Sequence, residues 1–88
     1  MDFRWIEWNV GKVLMHGVDP AEAEKAVRLP GRGYPRRAYD GRWLVRGRTG
    51  RGRALQVVYL LDEDGTVFVI HARPLSEAEK RGFRRGQR

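Results

Sequence analysis

The stretch that decides the fold is Arg53-Ala54-Leu55-Gln56-Val57-Val58-Tyr59-Leu60-Leu61, Asp62-Glu63-Asp64-Gly65, Thr66-Val67-Phe68-Val69-Ile70-His71-Ala72-Arg73. Two runs rich in β-branched and aromatic residues flank an acidic loop, and Asp64-Gly65 is the strongest turn signal in the chain, which predicts a β-hairpin. The near-continuous apolar run over 53–61 predicts a central strand covered on both faces. In the second strand, alternation of side chains puts His71 and Arg73 on the face of Val67 and Val69, with Phe68, Ile70 and Ala72 on the other. Pro74 stops that strand, and Ser76 with Glu79 forms a capping box for a final helix carrying Lys80, Arg81, Arg84 and Arg85. Gly82 weakens this helix, and the tail 86–88 is expected to fray.

On the N-terminal side of the hairpin, Arg42–Arg48 reads as a third strand. Trp43 and Val45 share one of its faces, and Arg42, Leu44, Arg46 and Arg48 the other. Thr49-Gly50-Arg51-Gly52 reads as the turn between strands, whereas Pro30–Gly41 is a Gly/Pro/Arg loop with Tyr34 and Tyr39 and no expected regular structure. Asp19-Pro20-Ala21-Glu22 combines an acceptor cap, proline at the first helical position and glutamate two positions on. It predicts a helix to about Arg28 that buries Ala23, Ala26 and Val27. Before it, Asn9 reads as the N-cap of a short helix over Val10–His16, with Val10, Val13 and Leu14 on one side and Gly17 just past its end. Phe3–Trp8 alternates in the manner of a strand or extended arm. The expected architecture is α+β in one domain, 1–88: a small antiparallel sheet of three or four strands, two N-terminal helices and a C-terminal helix, with the helices on one face of the sheet.

Eighty-eight residues support a single modest core, and without cysteine neither a disulfide framework nor a cysteine–zinc cluster can supplement it. No apolar run approaches the ~18 residues that span a bilayer, and the N-terminus lacks a signal-peptide layout; a soluble cytoplasmic protein with no membrane partner is expected. The formal net charge is +7, and between Arg28 and Arg53 there are nine arginines against one acid, Asp40. The excess of 15 arginines over 3 lysines fits a GC-rich coding bias, but that bias does not explain the clustering. Such a block attracts nucleic acid by releasing condensed counterions.

Candidate chemistry gathers at the hairpin's end. Arg73 lies just before a helix N-terminus, where free N–H groups favour an anion. It reads either as a phosphate contact or as a salt-bridge partner of Glu77 or Glu79. Arg46 and Arg48, on one face of a neighbouring strand, could join Arg73 in clamping a phosphodiester and a pentavalent phosphorane. RNA cleavage by its own 2′-hydroxyl needs only those cations, a base and an acid, with neither metal nor cofactor. His16 and His71 are the proton-shuttle candidates. His16 reads equally as a helix C-cap, and His71 also has a purely structural reading. Lys12 precedes His16 by one helical turn, so both project from one face. Arg42, Arg48, Lys80 and Arg84 are the candidate RNA-binding cations. Trp5, Trp8 and Trp43 are expected in the core, with base stacking as the alternative. No cluster has metal-ligand spacing, and Gly31-Arg32-Gly33 and Gly50-Arg51-Gly52 match phosphate loops only weakly.

The chain resembles the BrnT family of small ribonuclease toxins, whose fold is similar to RelE. Ile6-Glu7-Trp8 is similar to the family's early F-E-W. Lys12, Leu14 and His16-Gly17-Val18 resemble its K-H-G-[IV] stretch, which leads into an acid- and alanine-rich helix, here Ala21–Ala26. Arg42-Trp43 and Gly47 resemble its R-W-x-x-x-G strand, and Val57-Val58-Tyr59 with Ile70-His71-Ala72-Arg73 resemble the strand pair ending I-S-A-R. Ser76, Glu79, Lys80 and Phe83 resemble the closing [ST]-x-x-E-[RK]-x-x-[YF]. The chain departs from the family pattern at Met15 (usually basic), His71 (serine), Phe83 (commonly tyrosine) and the basic loop Pro30–Arg37 (often acidic). The resemblance implies a metal-independent endoribonuclease that cuts mRNA and blocks translation. Its implied partner is a ribbon-helix-helix antitoxin, and the expected assembly is a homodimer or a toxin–antitoxin hetero-oligomer. The alternative expectation is a catalytically silent RNA- or protein-binding module on the same scaffold.

Overall fold

The acidic loop closes the hairpin as its turn chemistry dictates: the Thr66 carbonyl accepts from Asp62 N–H (2.9 Å), and Asp64 Oδ1 accepts from Thr66 N–H (2.9 Å). The computed structural model describes residues 1–50 and 52–87. The expectations that fall on Arg51 in the preceding turn and on Arg88 in the tail lie outside them. The elements run α1 (Glu7–Leu14), α2 (Pro20–Arg28), β1 (Arg36–Arg37), a 3-10 turn (Tyr39–Gly41), β2 (Trp43–Arg48), β3 (Ala54–Leu61), β4 (Val67–Pro74) and α3 (Glu77–Gly86). The strands form one antiparallel sheet in the order β1-β2-β3-β4. The architecture is the α+β arrangement expected, with the loop 30–41 contributing the short edge strand β1.

Helix α2 spans the predicted residues and buries Ala23, Ala26 and Val27; Glu22 Oε1 accepts from Asp19 N–H (3.2 Å). Helix α1 begins earlier than expected. Asn9 is its third residue rather than its cap, and it is fully buried. Asn9 Oδ1 accepts from Ile6 N–H (2.7 Å), while Nδ2 donates to the carbonyls of Arg4 (3.1 Å) and Val69 (3.0 Å). That one amide clips the N-terminal arm and α1 onto β4. The arm adds its own bonds, Val67 N–H to Asp2 carbonyl (2.8 Å) and Arg4 N–H to Val67 carbonyl (2.9 Å), which cover the free edge of β4. Of the apolar side expected for α1, Val13 is buried but Leu14 is exposed.

The core lies between the sheet and α1 and α2. Val13, Val18, Ala23, Ala26 and Val27 pack there on Val45, Leu55, Val57, Tyr59, Val67, Val69 and Ala72. Gly47 lets α2 come this close: a Cβ there would strike the Ala26 carbonyl oxygen, with the Leu29 oxygen at 2.8 Å. The expectation that β3 is covered on both faces is corrected. Leu55, Val57 and Tyr59 are buried on the helix side, whereas Gln56, Val58 and Leu60 on the other are half-buried.

The placement of α3 also differs from the expectation of helices on one face. Phe83 forms a second small cluster with Ala54 and Leu75, against Tyr34. Ala54 pairs with Arg48, on the sheet face opposite the main core, so α3 docks over one end of that outer face. Among the described residues no helix is long and apolar enough to cross a membrane.

Candidate phosphate-binding face

A β-bulge decides which residues reach the outer face. Val58 pairs with His71 but Tyr59 pairs with Val69, which leaves Ile70 as an extra residue on β4. The bulge shifts the alternation by one, so two successive side chains, Ile70 and His71, turn away from the core. Val67, Val69 and Ala72 are buried, while His71 and Arg73 stand on the face opposite them. The expectation that His71 and Arg73 share a face with Val67 and Val69 is therefore corrected. Strict alternation would have pointed a guanidinium into the core, and one extra residue avoids that cost.

With this parity Arg46, Gln56 and Arg73 form one cross-strand row on the outer face. Arg46 Nε donates to Gln56 Oε1 (3.1 Å) and Arg46 Nη2 to Glu79 Oε2 (3.2 Å). Arg73 Nη1 and Nη2 donate to Glu79 Oε1 (2.7 Å) and Oε2 (2.8 Å), a bidentate pair, and Nη1 also reaches the Pro74 carbonyl (3.1 Å). The two guanidiniums thus converge on one carboxylate, and of the sequence readings of Arg73 it is the salt bridge, to Glu79 rather than Glu77, that the structure contains. Glu79 is held by the capping box: its Oε1 accepts from Ser76 N–H (2.8 Å), and Ser76 Oγ accepts from Glu79 N–H (3.2 Å). Hydrogen bonds from Arg73 and from the Ser76 backbone hold the Glu79 carboxyl far below the usual carboxylate range. All three side chains remain partly accessible.

The second cluster sits beside Arg73. Helix α1 lies along β4; its Trp8 and Lys12, and His16 in the turn just past its end, are spaced by four. The His16 and His71 rings meet edge to face with centroids 5.0 Å apart. Burial lowers the His71 pKa, and the positive fields of His16, Arg73 and Lys12 lower it further. Both causes favour the neutral imidazole. Trp8 stacks on Phe68 (6.1 Å, 11°), Lys12 lies 5.4 Å from the Trp8 ring, and Arg4 covers Phe68 at 4.1 Å. Trp8 is half-exposed, contrary to the core expectation, while Trp5 and Trp43 pack against the core as expected. His16 is not the C-cap of α1; Met15 takes that position.

Of the other candidate cations, Arg48 lies 5.2 Å from the Phe83 ring and Lys80 pairs with Glu77 (3.3 Å). Arg42 precedes β2, pairs with Asp40 (3.4 Å) and covers Tyr39, and Arg84 is exposed in the last turn of α3. Arg48 shares β2 with Arg46 and Lys80 follows Glu79 in α3, whereas Arg42 stands before the start of β2. Sequence reasoning missed Gln56 as the spacer between the arginines, although a lone amide in an otherwise apolar strand was a visible sign. No group of three metal-ligating side chains forms among the described residues. Comparison with protein-family models, curated proteins and solved structures gives no match for this chain.

Proposed function

We propose that the outer face binds single-stranded RNA and that the protein is a metal-independent endoribonuclease of the toxin type its sequence resembles. The observation that carries this reading is the convergence of Arg46 and Arg73 on a two-oxygen seat on the same outer face as the His71 imidazole. Glu79 occupies that seat, and its two oxygens have the spacing and charge that the non-bridging oxygens of a phosphodiester present to guanidinium forks. An RNA phosphate drawn in by the +7 chain would share or displace it.

His71 would take the proton of the ribose 2′-hydroxyl, and the 2′-oxygen would attack phosphorus. Arg46 and Arg73 would stabilise the added charge on the phosphorane. As the bond to the 5′-oxygen breaks, His16 or Lys12 would supply the proton that oxygen requires. The products are a 2′,3′-cyclic phosphate and a 5′-hydroxyl. Arg42, Arg48, Lys80 and Arg84 would guide the flanking backbone. In the cytoplasm such an activity needs a neutralising partner, and the implied one is a ribbon-helix-helix antitoxin. The test is cleavage of mRNA by purified protein in the presence of a chelator. Arg73→Ala is expected to slow cleavage by about 10²–10³-fold. Equal, negligible cleavage by both proteins would remove the enzyme.

A second reading is favoured by two observations: Glu79 already pairs with both guanidiniums, and Phe83 carries no hydroxyl. On that reading the scaffold is a silent RNA- or protein-binding module. Salt-sensitive RNA binding without cleavage would support it.

A further inference from the structure

On the far side of Arg46 from Arg73, a cleft of about 240 Å³ opens between the loop after α2, β2 and the last turns of α3. Its walls include Arg32, Tyr34, Arg36, Arg46, Phe83 and Gln87. The volume is many times a single water's ~30 Å³ and lies just below the ~300–1,000 Å³ range of drug-sized ligand pockets. It suits one planar ring with an attached anion, not a folded macromolecular segment.

The lining has the two chemistries that a nucleotide needs. One wall carries the Tyr34 ring with the Arg36 guanidinium 4.3 Å from its centre, adjoined by the nearly buried Phe83 ring. Bases stack on aromatic rings and on arginine planes alike. The other chemistry is positive charge, and no acidic side chain among the described residues lines the cleft. The walls are fixed rather than incidental. Gln87 Oε1 accepts from Arg32 N–H (2.8 Å), which ties the end of α3 to the loop. Gly31 leaves room for this closure, since a Cβ there would strike the Phe83 ring and come within 2.9 Å of Gln87 Nε2.

We propose that this cleft is a nucleotide subsite, holding the base and phosphate of the RNA residue next to the Arg46–Arg73 seat. Arg46 belongs to both places: it lines the cleft and points its Nη2 at the Glu79 seat, so consecutive phosphates of one strand would meet the same guanidinium. The proposal takes its RNA context from the reading above, but its own claim is binding of a single nucleotide.

The test is a titration of the full chain with adenosine 3′-monophosphate, adenosine and inorganic phosphate, followed by amide chemical shifts. The mononucleotide is expected to bind at least about fivefold more tightly than phosphate, the ratio that one stacking contact supplies. Its shifts should centre on Arg32, Tyr34 and Gln87. Arg36→Ala should remove that preference while leaving the melting temperature unchanged. Phosphate binding as tightly as the mononucleotide, or an Arg36→Ala variant with the preference intact, would overturn the subsite. Because the titration involves no bond cleavage, the two readings fail separately. A chain that prefers the mononucleotide but leaves RNA whole keeps the subsite and loses the nuclease. A chain that cuts RNA without that preference does the reverse.

Discussion

The two faces of the sheet come from the same strands and differ in what is asked of each residue. On the helix side Leu55, Val57, Val67 and Val69 are almost fully buried beneath α1 and α2. On the outer side Gln56, Val58, His71 and Arg73 are only half-covered. The closed face contributes stability, since each well-buried aliphatic side chain is worth roughly 1.5–3 kcal/mol. The open face gathers charge: two arginines on one carboxylate, and two imidazoles beside a lysine. Such groups are tolerated only where water still reaches them or a partner meets them. The difference teaches that the face that adds least buried apolar surface is the one left free to gather charge, and it is the face on which the proposed site lies.

The sharpest way to break this contrast is to truncate adjacent faces of one strand. Leu55→Ala should cost about 2–5 kcal/mol by urea unfolding, because it leaves a cavity in a closed core. Val58→Ala, on the open face, should cost about 1 kcal/mol or less. Equal losses would mean that the outer face is a second core. Next in size is the seam between arm, α1 and β4. Asn9→Ala leaves the Ile6 N–H and two carbonyls without their partner, so a loss of about 1–3 kcal/mol is expected in the same assay.

On the open face, Glu79→Gln keeps a residue able to form the capping box but removes the charge that Arg46 and Arg73 share. Single-stranded RNA binding should tighten at low salt. The slope of log K against log salt should steepen by about 0.7, the value for one more neutralised phosphate. An unchanged slope would show that RNA does not use the Glu79 seat. The smallest expected effect is a pH dependence. The folded-state pKa of His71 lies below its ordinary value, so the unfolded chain binds that proton first. The stability contributed by neutral His71 is present above the unperturbed value of about 6.5 and is lost as pH falls through it toward the folded pKa. His71→Gln should flatten that part of the decline in melting temperature between pH 7.5 and pH 5.5, in a series whose variants are otherwise alike. An identical decline would mean that His71 is not the group responsible.

Much of the fold was legible in local sequence. The start and length of α2 followed from Asp19, Pro20 and Glu22, the hairpin from Asp64-Gly65, and the start of α3 from Ser76 and Glu79. Each is decided by hydrogen bonds between residues a few positions apart. The candidate site was legible only in part. Arg73 was visible as a cation at a strand end and Arg46 as one on a neighbouring strand, but their meeting depends on two strand registers and on the bulge at Ile70. Asn9 was misplaced because its amide serves three backbone groups, one of them on β4. Gln87 gave no sign of sharing a cleft with Tyr34 and Arg36, since it lies past the end of α3, far along the chain from them.

The amino-acid order alone set the α+β class, the positions of turns and caps, and the positive charge that makes a phosphate partner plausible. Those properties rest on interactions within a few residues or on a sum over the whole chain. Which face His71 and Arg73 occupy, where α3 docks and which carboxylate meets both arginines were decided only in three dimensions. One unpaired residue in a strand reverses every side chain beyond it, and its cost or gain is counted against neighbours that the local pattern cannot see.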